Sequence, residues 1–214
     1  MDRIPRSLTV AIAVVTGLAW LLALLTGFDT AYFMGFIPAR FGGLVSTTPA
    51  VPAFLTPLTT TLVHSGPVHI GFNLLVLLWC GMQVERVLGK TGLIVLYVVG
   101  AYASAIAQFG YTATLPLTNP AWITPMVGAS GAISALIGAY ALIFGRAKRI
   151  SKSATLNRWI NALWLLVAWI VLQYMTQWLA GQQGFLLATP AHIGGFAAGL
   201  LLQRPLLLWR YRKA

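Results

Sequence analysis

Charge is scarce in this sequence. Its 214 residues include 14 Lys and Arg but only 3 Asp and Glu, so that 8% are charged and the mean hydropathy is +0.82. A soluble domain has about 25% charged residues, which excludes a soluble globular protein and indicates a multi-pass membrane protein. Cysteine is nearly absent as well. Cys80 is the single one, and this excludes an intramolecular disulfide.

Long apolar segments take the place of the missing charge. A membrane-spanning helix needs about 20 mainly apolar residues, within a range of about 17–25. The sequence predicts one all-α domain over 1–214, a polytopic membrane bundle of six transmembrane helices with a short fourth helix. The helices are expected at about 8–26, 65–83, 92–110, 130–145, 159–179 and 190–209. We interpret the first as a retained helix, because it is longer than the apolar region of a usual signal peptide.

The basic residues predict the orientation of these helices. With both termini in the cytoplasm, all Lys and Arg residues except Arg40 fall in inside segments, as the positive-inside rule requires. The net charge of +11 is therefore a topology signal, and we expect membrane lipid but no nucleic acid as a partner. The sequence leads us to expect an integral multi-pass protein of a bacterial plasma (inner) membrane.

A few polar residues interrupt the apolar segments at a common depth. The second, fourth and sixth helices run from outside to inside, and each has its unusual polar residues at its start. These residues are His64, His69 and Asn73 in the second helix, Ser130 in the fourth and His192 in the sixth. Ionisable residues inside a membrane are costly and usually mark a function. We therefore expect one site in the outer part of the membrane.

The predicted fourth helix is too short to cross a bilayer alone. From Ser130 to Phe144 it has 15 residues, about 22 Å at 1.5 Å per residue, against a hydrocarbon core of about 30 Å. The chain before Ser130 must then descend into the protein, which is tolerable only in a protected or water-filled cavity. We expect Ser130 to lie below the outer surface and still to meet water.

This placement predicts a serine nucleophile. A serine becomes nucleophilic when a base within hydrogen-bond reach takes its proton, and the sequence offers no acidic third member near the site, which leaves a Ser130–His192 dyad. His69 and Asn73 stand at i,i+4 on one helix face and would donate hydrogen bonds to an oxyanion. The Ser130 N–H at the helix start would be a further donor.

Other chemistries fit the same residues poorly. His64 and His69 are separated by about 140° around a helix and no carboxylate is near a histidine, so we expect no zinc site. The soluble hydrolase elbow G-x-S-x-G fails because residue 132 is Ala. A transporter would need paired carboxylates or broken helices in corresponding halves, and neither is present in the sequence.

Small residues on the fourth and sixth helices have a structural use. Gly128, Gly131 and Gly138 on the fourth and Gly195 and Gly199 on the sixth are typical of close helix packing in lipid. That packing is what would bring the serine and the histidine together. The aromatic residues of the fifth helix are interpreted as interface anchors and lipid-facing bulk. They are Trp159, Trp164, Trp169, Tyr174 and Trp178.

Three motifs carry a family resemblance. "HSGPVHIGFN" at 64–73, "GASG" at 128–131 and "AHIGG" at 191–195 occur in order, each at the start of an inward-running helix. Over about 55–203 the chain resembles the rhomboid family of intramembrane serine proteases. The resemblance implies Ser130 as nucleophile and His192 as general base, and it places Asn73 and His69 at the oxyanion hole. Supporting roles are expected for His64, Gly128 and Gly131.

The resemblance also implies a function. Family members are six-helix bundles without a cofactor that cut single-span membrane proteins near the outer surface, and we expect the same serine endopeptidase activity here. The alternative is an inactive rhomboid-like protein that binds membrane clients. Two departures stand out. The family's Trp-Arg pair is missing from the first outer loop, and Ser134 occupies a position where an aromatic residue often stacks on the catalytic histidine.

Overall fold

The computed structural model describes residues 7–46, 50–145, 150–181 and 188–212. Within these ranges the fold is helical, with an isolated bridge between Phe36 and Met126 and no strand. The long helices are α1 (Leu8–Thr26), α2 (Pro67–Val76), α3 (Met82–Thr112), α4 (Ser130–Phe144), α5 (Ala154–Gly181) and α6 (Thr189–Arg210).

The predicted second and third helices run as one helical path with a break. From α2 the chain passes through a π-helical turn, Leu77–Gly81, directly into α3. α3 breaks at Gly89, whose φ of 73° lies in the left-handed region that favours glycine. The second helix was predicted to end near residue 83 because the apolar run stops there. It continues to Gly89, and Glu85 on this extension binds the start of α1.

Apolar helices of membrane-spanning length confirm the membrane class. Leu8–Thr26, Pro67–Thr112 and Ala154–Met175 are long and apolar enough to cross a bilayer, and Ser130–Phe144 is a shorter apolar helix. The described part of the chain is thus an all-helical bundle consistent with a membrane protein, whereas the count of six spans stays a prediction. Six of the basic residues that predict the orientation lie outside the described residues: Arg3, Arg6, Arg146, Lys148, Arg149 and Lys213.

Close packing of α3, α4 and α6 forms the centre of the bundle. A Cβ atom on Gly199 of α6 would overlap the Ala135 carbonyl of α4, and one on Gly138 of α4 would overlap the Phe196 carbonyl of α6. On the other side of α4, a Cβ on Gly100 of α3 would lie 2.5 Å from the Ala135 Cβ. Only glycine permits backbones this close, and such contacts are how helices associate in lipid.

The start of α1 is held by a single carboxylate from α3. Glu85 Oε2 accepts hydrogen bonds from the Ser7 hydroxyl at 2.7 Å and from the N–H and hydroxyl of Thr9 at 2.9 and 2.7 Å. Its Oε1 accepts from the Leu8 N–H at 2.8 Å. The first N–H groups of a helix have no partner within the helix, and a negative charge there is favourable. Glu85 therefore fixes the start of α1.

The segment between α1 and α2, named the first outer loop after its predicted position, is folded around a buried arginine. Arg40 is 6% exposed; it donates from Nη1 to the Tyr32 carbonyl at 3.3 Å and from Nη2 to the Val51 carbonyl. The loop contains the short helices Thr30–Met34, Pro38–Phe41 and Thr56–Thr59. The Arg40 side chain thus joins two parts of this loop through their carbonyl groups. The loop lacks the Trp-Arg pair that is frequent in the family.

Candidate active site

Ser130 and His192 are in direct contact. Ser130 is the first residue of α4, and His192 lies in the first turn of α6. The Ser130 Oγ is 2.7 Å from the His192 Nε2, although the two residues are 62 positions apart. Both side chains are half-buried. A hydroxyl and an imidazole nitrogen at this distance have the geometry that proton transfer from serine to histidine requires.

Glycine packing explains how the two helix starts come together. A Cβ on Gly195, one turn after His192, would overlap the Gly131 carbonyl, and it would lie 2.7 Å from the Ser104 Oγ. A Cβ on Gly131 would in turn lie 2.5 Å from the Ser104 Oγ. The glycines beside the candidate residues therefore allow α6, α4 and α3 to meet at this level.

The chain before Ser130 is fixed by hydrogen bonds to the first outer loop. Met126 pairs with Phe36 in an antiparallel bridge, with N···O distances of 2.8 and 3.1 Å. The Gly128 N–H donates to the Thr60 carbonyl at 3.0 Å, and the φ of Gly128 is 114°, a conformation that side chains rarely adopt. The chain before α4 is thus irregular and bonded to the first outer loop, while its depth in the membrane stays a prediction.

His69 lies over Gly128, next to Ser130. The position that a Cβ of residue 128 would occupy is 2.7 Å from the His69 Nε2 and 3.7 Å from the Ser130 Oγ. The other ring nitrogen, Nδ1, accepts from the Ser65 N–H at 3.4 Å and lies 3.0 Å from the Ser65 Oγ. Since a backbone N–H can only donate, the neutral ring carries its hydrogen on Nε2. His69 thus presents a donor beside the candidate nucleophile.

Asn73 is buried one turn below His69 on α2. Its side chain is 6% exposed, and its Nδ2 donates to the His69 carbonyl at 2.9 Å. An amide nitrogen carries two hydrogens, so this bond leaves one for another acceptor. The Asn73 Oδ1 is buried without a protein partner. The structure therefore places Asn73 on the His69 side of the site without a direct bond to Ser130 or His192.

His64 supports the backbone next to Ser130. Its Nε2 accepts from the Ala129 N–H at 3.4 Å, and its ring packs edge-to-face against His69 with centroids 5.0 Å apart. A neutral ring is what an acceptor on Nε2 needs. This position is consistent with the supporting role expected for His64.

A small cavity opens beside Ser130. It lies between the first outer loop, α3 and the starts of α4 and α6, and it includes the Ser130 side chain. Thr60, Thr61 and Ser104 line it together with the small residues Ala101, Gly131 and Ala132. Next to it, Ser134 of α4 donates its hydroxyl to the Ser130 carbonyl at 2.7 Å, so this serine is a packing residue of the helix.

Sequence reasoning missed two residues of α5, Gln173 and Trp169. The Gln173 Oε1 lies 2.7 Å from the His192 Nδ1. The interpretation of the α5 aromatic residues as lipid-facing was wrong for Trp169, which donates from Nε1 to the His192 carbonyl at 3.3 Å and stacks on Phe196 at a centroid distance of 4.8 Å. The available signal was Gln173 itself, since an amide amid apolar residues of a membrane helix is costly.

No group of three metal-binding side chains occurs among the described residues. His64 and His69 are neighbours, but each already uses a ring nitrogen in a bond to backbone or to Ser65. The site is therefore built from hydrogen-bonding side chains around one hydroxyl.

Known proteins match the part of the chain that builds this site. A sequence model of the Rhomboid domain matches residues 52–209. Rhomboid-like protein 15 of Arabidopsis thaliana is 32% identical over 113 residues, covering 53% of this chain and 26% of that protein. Rhomboid-type serine protease 2 of Emericella nidulans is 29% identical over 165 residues, covering 75% and 28%. Rhomboid protease AarA of Providencia stuartii is 29% identical over 150 residues, covering 66% and 52%. The matched part thus spans between 26% and 52% of these relatives.

Proposed function

The chain belongs to the rhomboid family, and from this premise we propose that it is an intramembrane serine endopeptidase acting through a Ser130–His192 dyad. One observation carries the proposal: the Ser130 Oγ lies 2.7 Å from the His192 Nε2 at adjoining helix starts. The substrates would be single-span membrane proteins, cut near the outer membrane surface. Two of the matched relatives are named as proteases, which supports the same activity here.

Acylation would use the two residues in sequence. The Ser130 Oγ attacks the carbonyl carbon of the scissile peptide while its proton moves to the His192 Nε2. The tetrahedral intermediate then collapses, the C–N bond breaks, and the imidazolium gives its proton to the leaving amine. An ester between Ser130 and the N-terminal fragment remains. No cofactor enters these steps.

The oxyanion would form over Gly128. The Nε2–H of His69 borders this spot, as shown by the 2.7 Å distance to a Cβ position on Gly128, and the Ser130 N–H at the start of α4 is a second donor. The remaining Nδ2 hydrogen of Asn73 is the third candidate. Donors fixed before the reaction stabilise the developing charge without reorganisation, and the hydrogen bonds at Ser65, Thr60 and Ala129 provide this rigidity.

Deacylation would need water at the same place. A water molecule attacks the ester carbonyl, gives a proton to the His192 Nε2, and the Ser130 oxygen leaves and regains that proton. The cavity next to Ser130, which Thr60, Thr61 and Ser104 help to line, is the place where we expect this water.

The membrane arrangement is part of the proposal. We place residues 1–214 in one domain with six spans, both termini in the cytoplasm of a bacterial cell, and the site in the outer part of the plasma membrane. The support is the position of all basic residues except Arg40 in predicted inside segments. Membrane lipid surrounds the bundle, consistent with the exposed apolar side chains on α1 and α5.

Labelling of Ser130 tests the proposal without a known substrate. The purified full chain is incubated with a fluorophosphonate, from which an activated serine displaces fluoride. Wild type should label and should cleave a single-span reporter, and Ser130→Ala should do neither. Ser134→Ala, a matched change one turn along α4, should keep both activities. A folded wild-type protein that neither labels nor cleaves would overturn the proposal and favour the client-binding alternative.

A further inference from the structure

Gln173 is a buried polar side chain for which the dyad mechanism has no role. It is 7% exposed, although α5 is largely open to its surroundings: Leu163, Trp164 and Val171 are 62%, 67% and 53% exposed. Between 162 and 175 it is the only residue with an amide side chain. A polar group is buried against the bundle from a lipid-facing helix only at a cost, so its contacts indicate what it does.

One contact of Gln173 is with the second nitrogen of the candidate base. Its Oε1 lies 2.7 Å from the His192 Nδ1, while the His192 Nε2 faces the Ser130 Oγ at 2.7 Å. An amide oxygen only accepts hydrogen bonds, so this contact places the ring hydrogen on Nδ1. The lone pair is then on Nε2, where the serine proton must go. The opposite tautomer would direct an N–H at the serine and leave two acceptors facing each other at Nδ1.

We propose that Gln173 is a positioning residue that, through its side-chain oxygen, holds His192 in the tautomer and orientation of a general base. This inference rests on the proposed function, since it assigns a role within the same reaction. The assigned role runs through the imidazole, since Gln173 contacts the His192 Nδ1. Together with the Ser130–His192 contact this gives a Ser130–His192–Gln173 chain of hydrogen bonds that crosses from α4 through α6 to α5.

A second contact from α5 fixes the backbone of the same histidine. Trp169, four residues before Gln173 and on the same helix face, donates from Nε1 to the His192 carbonyl at 3.3 Å. Its indole stacks on Phe196 of α6 with an interplanar angle of 8°. α5 therefore holds both the main chain and the ring of His192, and the position of the base depends on how α5 sits against α6.

A neutral amide suits this location better than a carboxylate. A buried carboxylate without a cationic partner loses much hydration energy, and no basic residue is bonded to the Gln173–His192 pair in the described part of the chain. The amide oxygen accepts the same hydrogen bond at a smaller desolvation cost. When His192 takes the serine proton, the oxygen's partial negative charge faces the imidazolium and stabilises it.

Substitution of Gln173 in the full-length chain tests the assignment. Gln173→Met keeps the length of the side chain and removes the acceptor, so kcat for reporter cleavage should fall about 10-fold, with KM within about twofold of wild type. The rate constant of fluorophosphonate labelling should fall in proportion. Gln173→Glu keeps an acceptor oxygen and should restore most of kcat. Gln203→Met is the matched control, because Gln203 is a buried glutamine of α6, 6% exposed, and it should leave kcat unchanged.

The outcomes separate this inference from the proposed function. Unchanged kcat and labelling in Gln173→Met, or equal losses in Gln173→Met and Gln173→Glu, would overturn the positioning role while wild-type cleavage still supports the dyad. A folded wild-type protein that neither cleaves nor labels would instead contradict the proposed function itself. If Gln173→Met fails to fold, Gln173→Asn, whose shorter side chain withdraws the oxygen, replaces it with the same expected loss.

Discussion

His69 and His192 present opposite hydrogen-bonding groups at Nε2, because their Nδ1 atoms have different partners. At the start of α2, the Ser65 N–H donates to the His69 Nδ1 at 3.4 Å, which leaves the hydrogen on Nε2. At the start of α6, the Gln173 oxygen accepts at the His192 Nδ1 at 2.7 Å, which leaves Nε2 free to accept. Both Nε2 atoms lie near Ser130, one as a donor and one, in the proposed mechanism, as a base. The partner, rather than the residue type, assigns the chemistry.

The two histidines also differ in how they are placed. His69 is oriented by a residue four positions away in its own motif. His192 meets a serine 62 positions away and a glutamine 19 positions away, and those meetings depend on glycine contacts between helices. The orientation of His69 depends on its own motif and that of His192 on helix packing, so different substitutions should disturb them.

Removal of the His69 donor should give the largest effect. His69→Ala should lower kcat by about 10²–10³-fold, the range for loss of one oxyanion donor, while labelling of Ser130 by the fluorophosphonate remains detectable. His69→Gln, which offers an amide N–H, should recover part of the loss. Steady-state cleavage of a single-span reporter measures both. An unchanged kcat in His69→Ala would contradict the donor role.

A methyl group added between α4 and α6 should lower kcat to an intermediate degree, because it would displace His192. Gly195→Ala forces a Cβ onto the Gly131 carbonyl, and overpacking of this kind costs about 1–3 kcal/mol. We expect a lower Tm and a kcat reduced about 10- to 100-fold, because small misplacements of a catalytic group are expensive.

Gly110→Ala is the control for this change. Gly110 also lies in a helix, α3, but a Cβ there would have no neighbour within 4 Å. Its substitution should leave kcat unchanged and raise stability by about 0.5–1 kcal/mol through helix propensity. Equal behaviour of the two alanine variants would show that the α4–α6 contact does not set the position of His192.

The smallest effect is expected from Ser65→Ala. This change removes the hydroxyl 3.0 Å from the His69 Nδ1 but keeps the backbone N–H, so kcat should stay within about fivefold of wild type, the scale of one neutral hydrogen bond. The same reporter assay measures it. A loss as large as that of His69→Ala would show that the hydroxyl, and not the backbone, assigns the tautomer.

Much of the fold could be predicted because apolar length and glycine spacing are local signals. The bounds of α1, α4 and α6 lie within one or two residues of those expected from the sequence. The extension of the second helix to Gly89 could not be predicted from hydropathy, since it carries the charged residues Glu85 and Arg86. The charge pattern gave an orientation, which stays a prediction.

The residues at the helix starts could be picked out from the sequence, whereas the contacts of Gln173 and Trp169 with His192 could not. Histidines and a serine at helix starts are rare in an apolar chain, so they attract notice in the sequence. Gln173 and Trp169 lie mid-helix, and their meaning depends on which face of α5 turns to α6, a rotation that a helix apolar on all sides does not reveal. The amide of Gln173, between Leu172 and Tyr174, was the available signal, but the sequence does not show which face of α5 it occupies.

The bond between Glu85 and the start of α1 has a consequence for biosynthesis. Leu8 is made 77 positions before the carboxylate that accepts its N–H. At about 5–20 residues per second, the nascent α1 waits roughly 4–15 s for that partner. During this interval the helix must be retained in the bilayer by its own apolarity, with a mean hydropathy of 2.5. The membrane helix α1 is therefore synthesised first, and its hydrogen bonds to Glu85 form later.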